Sequence, residues 1–114
     1  MTAPPDDTRT ALLRGTLGLL ILRTLDLRPL HGLAIADRIQ QATRGAFRVP
    51  AGSLFPALHK LEEGGWIRGE WRGSDEGRRI KSYSLTAAGR RKLSADQRNW
   101  TRMVTAMSQV LEPR

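Results

Sequence analysis

The sequence predicts a mainly helical α+β chain carrying one small β-hairpin. Three observations point there. Several stretches repeat apolar residues at the three- and four-residue spacing of a helix. Two strand-like runs, residues 66–72 and 79–85, flank the polar, glycine-bounded tip "GSDEG". The last stretch, residues 87–111, has no proline and Gly89 as its one glycine. At 114 residues the chain is one domain by size.

The elements follow in order. "MTAPPDDTRT" is acidic and proline-rich, unlike a signal peptide, so residues 1–9 read as a mobile tail. Residues 11–27 form a helix whose Leu12, Leu13, Leu17, Leu19, Leu20, Ile21, Leu22 and Leu25 cover more than half its circumference, and Pro29 follows its end. A helix that apolar must be covered on most sides. Residues 31–43 form a short second helix with Leu33, Ala36 and Ile39 at three-residue steps and Ile35 beside them. His31, ahead of Gly32 at its start, reads as a cap or a packing residue. In residues 44–49, Phe47 and Val49 at period two fit a short strand or an extended linker.

Residues 50–65 form a third helix, with Leu54, Leu58 and Leu61 at i, i+4 and i+7, Ala57 on the same side, and Gly64–Gly65 for a left-handed cap. Pro56 removes one backbone hydrogen bond and crowds the carbonyl of Gly52. The helix is still expected to start near Pro50 and bend, because Leu54 completes its apolar face. In the hairpin, Tyr83 and Leu85 alternate inward, and Thr86 suits the N-cap of the last helix. That helix repeats its apolar residues every seven positions: Leu93, Trp100 and Met107; Met103 and Val110; Val104 and Leu111. At 1.5 Å per residue it is about 37 Å long, more than a domain this size needs.

Composition narrows the function. Nineteen Lys and Arg against 11 Asp and Glu give a net charge of +8, which points to a polyanionic partner. There is no cysteine, which suits a reducing, cytoplasmic setting. The longest apolar run, residues 17–22, is broken by Gly18 and falls far short of the roughly 20 residues of a membrane span. Of the two polyanionic partners that the charge fits, nucleic acid and an anionic membrane surface, nucleic acid is the expected one and no membrane partner is expected. Neither a nucleophile–base pair nor a glycine-rich phosphate loop can be placed. Two histidines without cysteine or a carboxylate cluster do not make a zinc site. Neither enzymatic activity, a metal nor another cofactor is expected.

Helix, helix, short strand, helix, hairpin, long helix is the order of a winged helix-turn-helix followed by a dimerisation helix. Residues 10–85 would bind DNA and residues 86–112 would join two copies. On the third helix, the face opposite the core carries Ser53, Pro56, Lys60 and Glu63, flanked by Phe55 and His59. Ser53, Phe55, Pro56, His59 and Lys60 are the candidates for double-stranded DNA. Arg78, Arg79 and Lys81 at the hairpin tip would neutralise phosphates and release counterions. The last helix has more apolar side chains than a winged helix can cover. A twofold dimer would bury them: Leu13, Leu17 and Leu20 of the first helix, with Leu93, Trp100, Met103, Val104, Met107, Val110 and Leu111 of the last.

The stretches "LLRGTLGLLILRTL", "PLHGLAIADRI", "AGSLFPALHKLEEGGWI" and "GRRIKSYSLTAAGRRKL" resemble PadR-type bacterial transcriptional regulators over roughly two-thirds of the chain, with the short tail of the smaller members. The resemblance implies a homodimeric winged-helix repressor reading a pseudo-palindromic operator. Trp100 reads as interface packing, or, since family members bind flat aromatic effectors near the dimer axis, as the lining of a pocket for such a small aromatic effector. Phe55 stands where that family often has Tyr, Leu33–Ala34 where it often has Tyr-Glu, and Pro50–Ala51 where a Ser-Pro start is usual. Two rival classes are open at this point. A small basic RNA-binding protein would need stacking aromatics on an open sheet. A winged-helix protein-interaction module would need no cations on its wing.

Overall fold

The computed structural model describes residues 15–73 and 77–112. Among the described residues, four helices and three strands follow in order: α1 (Leu17–Leu27), β1 (Leu30–His31), α2 (Gly32–Ala42), α3 (Ala51–Glu63), β2 (Ile67–Gly73), β3 (Arg79–Leu85) and α4 (Ala87–Leu111). The strands form one antiparallel sheet in the order β1-β3-β2. Its register sets Ile67 opposite Leu85 at the base and Gly73 opposite Arg79 near the tip.

α1 packs against α2, α3, α4 and β3, which is why its apolar residues run round most of its surface. Its Ile21, Leu22 and Leu25 meet Ile35 and Ile39 of α2, Leu54, Leu58 and Leu61 of α3, Ile67 and Tyr83 of the sheet, and Leu93 of α4 in one buried cluster. The part of the expected first helix before residue 15 lies outside the described residues, as does the expected tail at residues 1–9.

The sheet differs from the expected two-stranded hairpin. β1 adds a third strand, with Leu30 opposite Tyr83 and His31 opposite Ser82. Two residues are too few to show an alternating pattern, so no signal in the sequence marks them. Residues 47–50 form no strand and serve as the extended linker. Ahead of that linker Thr43 turns the chain. Its hydroxyl donates to the Ile39 carbonyl at 2.9 Å and accepts from the Phe47 N–H at 3.1 Å. His31 caps α2, its Nδ1 accepting from the Ala34 N–H at 3.3 Å.

α3 starts after Pro50, carries Pro56 within it and makes no side-chain cap bond at its N-terminus. Gly65 just beyond it adopts a positive φ of 78°, the left-handed region that glycine enters without steric cost. The corner between the sheet and α4 is held by Thr86. Its hydroxyl donates to the Gly65 carbonyl at 2.7 Å and accepts from the Gly89 N–H at 3.0 Å. Gly89 is buried, and a Cβ there would collide with the Trp66 carbonyl and the Leu85 side chain. Gly89→Ala is therefore expected to push α4 off the sheet and to cost about 1–3 kcal/mol of stability, read as a lower urea midpoint with an unchanged slope.

Candidate nucleic-acid interface

The buried Leu54, Leu58 and Leu61 fix α3 against the core and turn Phe55, Pro56, His59, Lys60 and Glu63 to solvent. His59 Nε2 lies 3.6 Å from Glu63 Oε1 on that outer face. Phe55 also leans on the start of α2. A Cβ placed on Gly32 would come 3.0 Å from its ring, so Phe55 helps set how closely the two helices approach. Ser53 is half-buried and borders a cleft between α1, α3 and α4 rather than standing at the crest of the outer face.

The wing brings four arginines into the open: Arg68 and Arg72 on β2, Arg78 just before β3, and Arg79 on it. Glu70 lies between Arg68 at 3.5 Å and Arg72 at 3.8 Å. Arg79 lies over the Trp71 indole, its Cζ 5.3 Å from the ring centre.

Lys81, expected at the hairpin tip, lies within β3 instead. It stands opposite Trp71, two pairs in from Gly73 and Arg79, and its Nζ donates to Glu62 Oε1 at 2.9 Å. Both side chains are largely covered. The hydrogen bond to Glu62 holds the Lys81 ammonium above its ordinary pKa, with burial pulling the other way. Glu62 and Glu63, adjacent on α3, thus face different partners, Lys81 and His59.

The expected dimer residues divide along α4. Leu93 is buried within the chain, and on α1 Leu17 is buried too, while Leu20 is half-buried against the core. Leu17 and Leu93 pack within the chain's own core, where the first turns of α4 lie on α1. Leu13 lies outside the described residues. Beyond Leu93 the stripe is uncovered: Trp100, Met103, Val104, Met107, Val110 and Leu111 are each 42–78% exposed. Trp100 and Met103 border the cleft of about 720 Å³ that Leu19, Ala57 and Trp66 line from the other side. Lys92 covers the Trp66 ring at 4.5 Å and pairs with Asp96 at 3.0 Å.

Trp71, Gly69 and the Glu62 partnership did not figure in the sequence reading. Their signal is the hairpin register, which sets Trp71 across from Lys81 and both on one face. Among the described residues, no helix is long and apolar enough to cross a membrane.

Comparison with known proteins adds four likenesses. Residues 21–95 match the model of the transcriptional regulator PadR-like family. A transcriptional regulator of Mycobacterium tuberculosis is 42% identical over 59 residues, which span 52% of this chain and 54% of that protein, about half its length. Among solved structures, a PadR family transcriptional regulator from Eggerthella lenta superposes with a TM-score of 0.82 at 26% identity, covering 95% of this chain and 92% of its own. A PadR family regulator from Clostridium difficile gives a TM-score of 0.72 at 28% identity, covering 84% and 98%.

Proposed function

Because the chain belongs to the PadR-like family of transcriptional regulators, DNA-binding proteins rather than enzymes, we propose that it acts as a cytoplasmic homodimeric repressor. Two copies join through the outer halves of α4 and set their α3 helices into successive major grooves of a pseudo-palindromic operator. The half-sites lie one helical turn apart, roughly 34–36 Å. The observation that carries this reading is the apolar stripe of α4 beyond Leu93, which one chain leaves in water. A stripe of that kind calls for a partner, and a twofold partner pairs like with like.

Selection of bound fragments from random duplex DNA tests this directly. The expected motif is twofold symmetric, with half-sites at the spacing above. Fragments without symmetry, or equal affinity for single-stranded RNA, would speak against it. Within the motif, His59 on the outer face of α3 is expected to reach a base edge. His59→Ala should weaken the selected site by about 1–3 kcal/mol while leaving unrelated duplex nearly unaffected, as filter binding or fluorescence anisotropy would show.

A flat aromatic effector seated beside Trp100 and Met103 would relieve repression by changing how the two α4 helices meet. The supporting observation is the cleft that these residues border. Quenching of tryptophan fluorescence by an aromatic library, lost in Trp100→Leu, checks it.

A further inference from the structure

We propose that Trp71 is a DNA-contacting residue of the wing, its indole laid against the sugar–phosphate backbone beside the groove that α3 enters, with Lys81 and Gly69 holding it in place. The proposal rests on the DNA-binding reading above and deepens it.

The register places Ile67, Gly69 and Trp71 of β2 on one face with Arg79, Lys81, Tyr83 and Leu85 of β3. At the base this face closes the core, where Ile67 and Tyr83 are buried. Toward the tip it runs past the core, and Trp71 emerges 57% exposed. A large aromatic side chain in that position keeps most of its apolar surface in water, an arrangement that favours a partner.

The ring is held. Arg79 lies over it at 5.3 Å and Lys81 at 5.8 Å, within the range of cation–π attraction. Lys81 is itself anchored to Glu62 on α3. Its path to Glu62 crosses Gly69. A Cβ there would collide with Lys81 Cε and come 3.0 Å from Glu62 Oε2. The missing side chain at position 69 thus opens the path for an ion pair that ties the wing to α3, and with it the face bearing Trp71 is fixed relative to the recognition helix.

Charge and continuity identify the occupant as duplex DNA. The hairpin carries Arg68, Arg72, Arg78, Arg79 and Lys81 against Glu70, Asp75 and Glu76, and of these cations Arg79 and Lys81 share the face of Trp71. The Trp71 face adjoins α3 through the Lys81–Glu62 pair. In a duplex the bases stay stacked, so the indole meets deoxyribose C–H groups, and its N–H can donate to a phosphate oxygen. Such a contact adds affinity without reading sequence.

The test compares the full chain with Trp71→Ala, Trp71→Phe and Gly69→Ala. Each is titrated with the selected operator and with an unrelated duplex of equal length, at several salt concentrations. Trp71→Ala should lower both affinities by about tenfold and leave the salt slope unchanged, since no cation is lost. Trp71→Phe should retain most of the affinity. Gly69→Ala should weaken binding although it removes no side chain. Duplex DNA should also shield the wild-type fluorescence from acrylamide, and Trp71→Phe should lose that part of the shielding. Equal affinity of Trp71→Ala and wild type at every salt concentration, with equal shielding in Trp71→Phe, overturns the proposal. Tighter Trp71-dependent binding of single-stranded DNA than of duplex overturns it too. If the wild type binds no duplex at all, the DNA-binding reading itself falls instead.

Discussion

Changing Met103 and Met107 together to glutamate is expected to yield a folded monomer that binds its operator at least a hundredfold more weakly than the wild type. The two methionines lie one turn apart on the uncovered half of α4, 45% and 54% exposed in a single chain. Burying a side chain of this kind contributes roughly 1.5–3 kcal/mol, and twofold symmetry counts each substitution twice. Glutamate removes that gain and sets like charges close to the axis, which a dry interface does not tolerate. The winged helix itself should survive, because Leu93 is the last residue of α4 buried in the chain's own core. Light scattering behind a sizing column should therefore show the monomer mass, with helical content retained by circular dichroism. A dimer persisting at micromolar concentration would refute the assignment of the interface to this stripe.

Removing Arg78 and Arg79 is expected to flatten the salt dependence of binding. Each phosphate contact contributes about 0.9 to the slope of log affinity against log salt. If both arginines reach phosphates in each of two chains, Arg78→Ala with Arg79→Ala lowers the slope by about 3–4, and affinity near 0.1 M salt by about three orders of magnitude. Lys81→Met should behave differently. Glu62 already offsets the Lys81 charge at 2.9 Å, so its removal should weaken binding through a displaced wing while the slope barely changes. Titrations at four or five salt concentrations separate the two behaviours. An arginine double variant with the wild-type slope would place the wing off the DNA backbone.

Much of the molecule was legible in the sequence because its strongest cues are periodic or local. The breadth of the apolar surface on α1 told that it must be central, and it packs on three helices and a strand. The i, i+4, i+7 leucines of α3 fixed which side faces out, and Leu54 placed its start near Pro50 despite Pro56. Thr86 capped the last helix as a hydroxyl before an uninterrupted helical run should.

What escaped depends on distance in the chain. Lys81 meets Glu62 nineteen residues away, a pairing set by how the hairpin folds back on α3 and invisible in a list of cations near a turn. β1 is too short for any periodic signal and exists because β3 offers an edge to pair with. The heptad pattern of α4 has the same spacing on turns that cover α1 and on turns that cover nothing. It identified the stripe but could not say that Leu93 lies inside the domain and Trp100 outside. Phe55 likewise looked like an outer-face residue, yet its ring also closes over Gly32.

Counting the chains on one duplex is the most decisive check. Sedimentation equilibrium of the full chain at micromolar concentration should give twice the chain mass, and with a selected operator two chains on each duplex. A single chain in solution, or one chain per duplex at saturation, would contradict a paired reader built from α3, the wing and the outer half of α4.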